Sequence, residues 1–199
     1  MRSKSEQRRR HILQVAAAAF TELGVDNTTM ADILQRLGGS KSTIYSYFPS
    51  KAELVQAVIA HSAEIELQSA FMKLDSAIAP AAMLPPFGRT YLAQVLKPEM
   101  VSAMRIAQQD GARNDNGKCF HDGGPRIGWE LMQAYLQHQI AAGALVPCDA
   151  QVAALHLKGL LQSELLDVTM FGFDVPETGM IQATADRAVD TFLRAYLAR

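Results

Sequence analysis

From His11 to Leu54 apolar residues recur at steps of three and four, interrupted by glycines at fixed intervals, so this stretch reads as three short helices and the start of a fourth. In the first, Ile12, Val15, Ala16, Ala19, Phe20 and Leu23 fall on one stripe, and Gly24 ends it because glycine takes a left-handed cap without steric penalty. The second follows Thr28 and Thr29, turns Met30, Ile33, Leu34 and Leu37 inward, and stops at Gly38-Gly39. Thr29-x-x-Asp32 forms a capping box at its start. A third, very short helix begins near Ser40, burying Ile44 and Phe48 and presenting Lys41, Ser42, Thr43, Tyr45, Ser46 and Tyr47 on its other face. This is the spacing of a helix-turn-helix, in which the second helix of the pair lies in the major groove.

The fourth helix is fixed by a second box, Ser50-x-x-Glu53, which puts Lys51 in the first helical position. A cation there opposes the helix dipole, an arrangement that makes sense where a phosphate docks at the same N-terminus; a solvated lysine is the simpler alternative. The run Thr28-Thr29-Met30-Ala31-Asp32-Ile33, then Leu37-Gly38-Gly39-Ser40-Lys41-Ser42-Thr43-Ile44-Tyr45-Ser46-Tyr47-Phe48 and Lys51-x-Glu53-Leu54, resembles the N-terminal domain of TetR-family transcriptional regulators. The resemblance implies that Lys41, Ser42, Tyr45 and Ser46 approach bases while Thr29, Thr43, Tyr47 and Lys51 hold phosphates. Gly39 stands where the family usually has an aliphatic residue and Leu34 where it often has a small one, which implies a more loosely packed head. Ala31 occupies a position where some relatives contact a base, implying fewer contacts from that helix.

Charge is distributed in keeping with a DNA-binding end. Residues 1–60 carry net +3 and residues 61–199 net −4. Much of the basic excess is Arg2, Lys4, Arg8, Arg9 and Arg10, read either as a phosphate-tracking tail or as a disordered solubilising run. No apolar run approaches the roughly 20 residues that span a bilayer, and the N-terminus lacks the apolar core of a signal peptide, so a cytoplasmic protein without a membrane partner is expected. Two cysteines, Cys119 and Cys148, suit a reducing compartment and form no disulfide framework.

Beyond the head the chain divides into helical stretches. Ser50 to about Ile78 is predicted as one long helix, Pro80, Pro85 and Pro86 as a break, and Phe87–Leu96 and Pro98–Gln109 as two helices. Asp110–Gly124 reads as a loop, Pro125 opens a helix ending near Gly143, and two more run from Asp149 to about Phe171 and from Glu177 to Leu197. The expected fold is all-α with about nine helices: residues 1–50 as tail and three-helix DNA-binding domain, residues 51–199 as a ligand-binding and dimerisation domain, with 51–78 connecting them.

The last two helices are apolar beyond a single stripe, which fits burial on two sides. The resemblance implies a homodimer built from them, and Leu157, Leu161, Leu165, Val189, Phe192 and Tyr196 are the candidate contacts. A two-fold dimer spaces its reading helices about one DNA turn apart, roughly 34 Å or a small multiple, and selects a palindromic operator on double-stranded DNA. The resemblance also implies a pocket for a small effector, mostly apolar or aromatic, with Met72, Phe87, Tyr91, Met104, Gln108, Trp129, Met132, Tyr135 and His156 as candidate lining; taken singly, each also suits an ordinary core. From Lys97-Pro98-Glu99 through Gly123-Gly124-Pro125 to Gly143-Ala144-Leu145, the C-terminal half loosely resembles AefR-like members. Repression relieved by ligand is the implied mechanism, with coupling through the fourth helix.

Nothing points to an enzyme, and no cofactor or metal is expected. Gly111 to Lys118 imitates a phosphate loop, but five residues separate Gly111 from Gly117, Cys119 replaces the hydroxyl residue, and no strand precedes it. Cys119-x-His121-Asp122 leaves open a thiol- or metal-responsive regulator, although no second ligand pair accompanies it. A helical interaction module without DNA binding is the remaining alternative.

Overall fold

The computed structural model describes residues 4–38, 40–110 and 116–198, apart from the side chains of residues 4, 59, 62–69, 109–110, 116–117, 119 and 123. Arg2, Gly39, Gly111 and the side chains of Lys4 and Cys119, all drawn on above, lie outside the described residues. Eleven helices are present among the described residues: α1 Lys4–Leu23, α2 Met30–Leu37, α3 Lys41–Tyr47, α4 Lys51–Phe71, α5 Pro80–Val95, α6 Pro98–Asp110, α7 Asn116–Gly123, α8 Pro125–Ala141, α9 Ala150–Gln162, α10 Leu166–Met170 and α11 Thr178–Tyr196. There is no strand among them, only an isolated bridge between Leu145 and Leu197 that ties the chain end to the α8–α9 turn.

Two clusters of buried side chains organise the helices. The first joins Ile12, Ala16 and Phe20 of α1, Ile33 and Leu37 of α2, Ile44 of α3, Phe48, and Leu54, Val55 and Val58 of α4. The second joins Phe71, Phe87, Tyr91, Leu92, Met100, Met132, Leu157, Leu161, Val189 and Phe192. Both α4 and α6 serve the two at once: Leu54 and Phe71 of α4, and Ile106 and Met100 of α6, divide between them.

The expected elements differ from the observed ones in four places, each with a tertiary cause. The fourth helix stops at Phe71 and not near Ile78. Gln139 on α8 donates to the Ser76 carbonyl at 2.8 Å and Tyr135 to the Ile78 carbonyl at 2.9 Å, so the backbone groups that a continuing helix would use are engaged elsewhere. The prolines do not break the chain: Pro80 is the first residue of α5, and Pro85 and Pro86 lie inside it. An interior proline costs about 3 kcal/mol. Leu84, Phe87, Tyr91 and Leu92 of the same helix are all buried, each worth roughly 1.5–3 kcal/mol, and together they outweigh the cost.

The glycine-rich segment expected as a loop contains α7, held by Phe120, which packs against both clusters. The long helix from Asp149 is divided into α9 and α10 at Ser163–Leu165. There Glu164 is drawn out of register by Arg187 of α11 at 2.5 Å, and Asp149 caps α9 by accepting from the amides of Gln151 and Val152. These two additions account for eleven helices where about nine are expected.

Two glycines set the interhelical distances in the second core. A Cβ at Gly88 of α5 would stand 2.8 Å from Val189 of α11, and one at Gly128 of α8 would stand 2.5 Å from the Phe71 ring of α4. Replacement of Gly128 by alanine therefore has to displace an aromatic ring that contacts Phe87, Tyr91 and Trp129. Gly128→Ala is expected to lower unfolding stability by about 1–3 kcal/mol, the usual cost of overpacking, measured by urea denaturation against the unaltered chain. Unchanged stability would mean that Phe71 is free to move.

Candidate functional site

The head is built around its turns. Gly24 closes α1 with φ of +78°, and the buried Thr28 hydroxyl donates to the Gly24 carbonyl at 2.7 Å, pinning the approach to α2. Both arms of the expected capping box are formed: the Asp32 amide donates to Thr29 Oγ1 at 3.2 Å, and the Thr29 amide donates to Asp32 Oδ2 at 2.7 Å. The Thr29 hydroxyl and amide both donate to Asp32 Oδ2 at 2.7 Å, and together they hold the Asp32 carboxyl below its ordinary range. Ser40 caps α3 by accepting from the Thr43 amide at 3.3 Å. Ser50 accepts from the Glu53 amide at 3.2 Å and its hydroxyl meets the Glu53 carboxylate at 3.1 Å, which starts α4 as expected.

Capped at its start and anchored by Ile44 and Phe48, α3 turns one face outward. Lys41, Ser42, Tyr45 and Ser46 are exposed, and Thr43 and Tyr47 are half-buried. Thr29 is exposed at the N-terminus of α2. Lys51 reaches back to the Asp26 carbonyl at 3.4 Å, which leaves its ammonium at the head surface near the start of α4. All eight candidate DNA-contacting residues thus lie on the head.

The basic run is not a tail where the structure describes it. Arg8, Arg9 and Arg10 are inside α1. Arg8 donates to the Gly38 carbonyl at 3.4 Å, and the Arg9 guanidinium lies over the Phe48 ring at 5.3 Å. Both cations are spent partly on the head itself, one on the last turn of α2 and one as a cation–π contact.

The candidate pocket residues separate into four groups, the last of them Met104 and Gln108, which line a small cavity. Phe87, Tyr91 and Trp129 come together with Phe71, which sequence reading missed, in an edge-to-face cluster with ring centroids 5.1–6.2 Å apart; Phe87 and Tyr91 are stacked at 13°. Met132 and Tyr135 are buried, and the Tyr135 hydroxyl is occupied by the Ile78 carbonyl. Met72 is 75% exposed, and His156 lies on the surface of α9 with Nδ1 against the Tyr196 hydroxyl. Two cavities adjoin these residues, apart from a wider space of about 710 Å³ between α1, α4 and the start of α6, lined by Leu13, Ala17, Thr21, Val58 and Pro98 among others. A cavity of about 240 Å³ is lined by Tyr91, Met100, Met104, Gln108, Phe120 and Gln162 among others. A second, of about 340 Å³, is lined by Trp129, Ala154, Leu155 and Gln133 among others.

Pro125 and Lys158 border both cavities. Lys158 was not among the candidates, although a lone cation between Leu157 and Leu160 on a helix apolar on two sides is a visible irregularity. Gln162 donates to the Tyr91 hydroxyl at 2.7 Å, and burial pushes that phenol far above its usual range, so Tyr91 is neutral.

Five of the six candidate dimer contacts face the chain's own interior. Leu157, Leu161, Leu165, Val189 and Phe192 are buried in the second core, while Tyr196 is half-buried and stacked on Phe192 at 4.5 Å. The large apolar residues that α9, α10, α11 and the segment between them leave outward are Val152, Leu155, Val168, Phe171, Phe173, Val175 and Met180. The inward stripe is the more apolar of the two, and it is the one that α5 covers.

Helix α6 links cavity and head. Met100 and Met104 line the smaller cavity, Ile106 is buried in the head core, and Ser102 shares a 2.9 Å hydrogen bond with Thr21 of α1. Arg105 donates to the Met170 carbonyl at 3.1 Å and also to that of Thr169, capping α10 with a cation at its C-terminus. His121 and Asp122, expected as potential metal ligands, bond to each other at 3.0 Å, and Asp122 also accepts from Arg126 at 3.2 Å. No group of three metal-ligating side chains occurs among the described residues. None of the described helices is long and apolar enough to cross a membrane.

The family model described as the AefR-like transcriptional repressor C-terminal domain matches residues 82–198, and that of the bacterial regulatory proteins of the tetR family matches residues 12–58. The HTH-type transcriptional regulator TtgR of Pseudomonas putida is 40% identical over 58 residues, which are 29% of this chain and 28% of that protein. The match thus spans under a third of that relative's length. Among solved structures, a TetR-family transcriptional regulator from Mesorhizobium loti has a TM-score of 0.86 at 26% identity, covering 99% of this chain and 100% of that one. The flavonoid-responsive regulator FrrA has a TM-score of 0.71 at 26% identity over 98% of this chain and 99% of that one.

The capping box that orients α2 is open to direct test. Thr29→Ala removes the hydroxyl accepting from the Asp32 amide and is expected to cost about 1 kcal/mol of stability in chemical denaturation. Because the Asp32 carboxyl is held down in the folded state, its contribution is complete above the ordinary carboxylate range and is lost as the pH falls through its depressed value. The difference between the unaltered chain and Asp32→Asn should therefore shrink on acidification; a constant difference would show that the box is not charge-assisted.

Proposed function

Since the chain belongs to the TetR family of transcriptional regulators, with an AefR-like C-terminal domain, we propose that it is a dimeric repressor that binds a palindromic operator and is released by a small effector. The observation that carries this reading is the exposed face of α3, on which Lys41, Ser42, Tyr45 and Ser46 stand clear while Ile44 and Phe48 hold the opposite side in the core. Short polar side chains on a capped, rigid helix suit the major-groove edges of bases. Thr29, Thr43, Tyr47 and Lys51 flank that face and serve phosphates, which fix register without reading sequence. In this scheme residues 1–50 form the reading head and 51–199 the effector and dimerisation domain.

A second copy docks on α9 and α11 through the outward residues Val152, Leu155 and Met180, with Phe171 and Phe173 at the margin. Leu157, Leu161, Leu165, Val189 and Phe192 support that face from behind. Burial of exposed large apolar residues supplies the driving force, at about 25 cal/mol per Å² of apolar surface.

The effector is mostly apolar or aromatic and occupies the cavities beside Tyr91 and Trp129. The description of FrrA as flavonoid-responsive supports an aromatic class. Occupancy moves α6, and with α4 it carries the change to the heads, so that their spacing no longer matches consecutive grooves. Moving a two-state dimer from almost wholly bound-competent to almost wholly incompetent takes about 5.5 kcal/mol of differential ligand affinity, and operator DNA weakens the effector by the same factor.

Mobility shift of the purified chain on DNA upstream of its own gene, across a salt series, is expected to show saturable binding that weakens as salt rises. Tyr45→Ala is expected to abolish the specific complex, and Lys51→Ala to weaken it with a shallower salt slope. Specific binding undiminished in both variants would overturn the assignment of α3 and the start of α4. Val152→Glu combined with Met180→Glu is expected to halve the mass in sedimentation equilibrium and to remove operator binding without lowering helix content. A double variant that remains a dimer would move the interface off these helices.

A further inference from the structure

Lys158 is half-buried on α9 and is the one charged side chain that borders both cavities. Among the described residues it makes no hydrogen bond or ion pair. The acidic residue lining the smaller cavity, Asp167, does not reach it, and the acidic residue lining the larger, Glu130, is held by Arg126 at 2.6 Å. Arg126 and His121, also on the larger cavity, are bonded to Asp122. The other charges at the site are thus either paired or out of reach, whereas the Lys158 ammonium is partly desolvated with nothing to accept its protons. Burial accordingly pulls its pKa below the ordinary lysine value.

A second donor without an acceptor belongs to Trp129, a residue that lines the larger cavity. Trp129 Nε1 is buried and approaches the Tyr91 hydroxyl without reaching hydrogen-bond geometry, so it too lacks an acceptor. Two donors without acceptors, carried by residues that line one cavity of about 340 Å³, within the roughly 300–1,000 Å³ usual for small-molecule sites, are the complement of an anion with two oxygens. The neighbouring space of about 240 Å³ is walled by Met100, Met104, Phe120 and Met170, an apolar, polarisable surface suited to an aromatic ring.

We propose that the two cavities form one site for an aromatic carboxylate, the carboxylate held by the Lys158 ammonium and the Trp129 N–H and the ring lodged against Met100, Met104 and Phe120. The site rests on the regulator reading only in that its ligand is called an effector. A neutral aromatic of the same shape fills the apolar half and leaves Lys158 unpaired, so the site discriminates by charge. Leaving a partly desolvated cation unpaired costs more than the missing contact alone, because that desolvation is not repaid.

Calorimetric titration of the full chain with matched pairs, cinnamate against cinnamamide and naphthoate against naphthamide, tests this directly. The acids are expected to bind about ten- to hundredfold more tightly than their amides, the ratio that one charge-assisted hydrogen bond corresponds to. In Lys158→Gln and Lys158→Met, both checked by thermal melting for a retained fold, the acids should fall to the affinity of the amides and the amides should be unaffected. Equal affinity of acid and amide, acid binding that survives both substitutions, or no acid binding at all would overturn the proposal.

A parallel mobility shift separates this proposal from the regulator reading. Operator binding by a protein that does not prefer the acids rejects the site alone. Acid binding through Lys158 that leaves the DNA complex intact keeps the site and rejects the effector role.

Discussion

Two hydrophobic cores in a single chain stay in register only if some element is packed into both, and here α6 carries that burden together with α4. Ile106 is buried among the head residues while Met100, six positions earlier, is buried among those of the second core. The spacing places them about 9 Å apart along a helix that rises 1.5 Å per residue, so a shift of α6 along its axis moves both contacts together. Thr21 and Ser102 add a hydrogen bond from α6 to α1, and Arg105 fastens the same helix to α10. Packed interfaces of this kind are bistable more than they are deformable, which is why a ligand beside Met100 and Met104 has a physical route to the reading head.

The second core shows how much of its interior is already committed. Phe71, Phe87, Tyr91 and Trp129 fill one another's edges, Tyr135 and Gln139 are spent on holding the 76–78 turn, and Gly88 and Gly128 let α5 approach α11 and α8 approach α4 more closely than a side chain there permits. The space left beside them is lined by Lys158 and Trp129, whose donors are satisfied by no group among the described residues. A protein interior tolerates unpaired polar groups rarely, and where it does the exception is informative. The same selectivity applies to the outer faces: Arg89 grips Asp186 through two hydrogen bonds of 2.7 and 2.9 Å between α5 and α11, closing the inward side and leaving the other for contact.

Most of the head is legible in sequence because its determinants are local. The Thr29–Asp32 box, the Ser40 cap, Gly24 and the inward spacing of Ile33, Leu37, Ile44 and Phe48 each act within a few residues. The second domain is less so. Periodicity identifies α8 and α11 nearly to the residue, yet local rules misplace the end of α4, the helical prolines of α5 and the helix in the glycine-rich segment. In each of those cases long-range packing overrode a local preference worth a few kcal/mol. The residues chosen for the dimer were apolar and at helical spacing, but periodicity cannot say which of two apolar faces a neighbouring helix will cover.

By itself, then, the order of residues determined an all-helical chain, a helix-turn-helix with its caps and outward face, and the resemblance that named its family, because all three depend on spacings of three, four and seven along one strand of polymer. Tertiary structure alone decided which stripe of α9 faces inward, that Met72 is exposed while Phe71 is not, that α6 is shared between cores, and that Lys158 stands between two cavities without a partner among the described residues. Those facts depend on residues tens of positions apart arriving at the same place, and on the volume left over once they have packed.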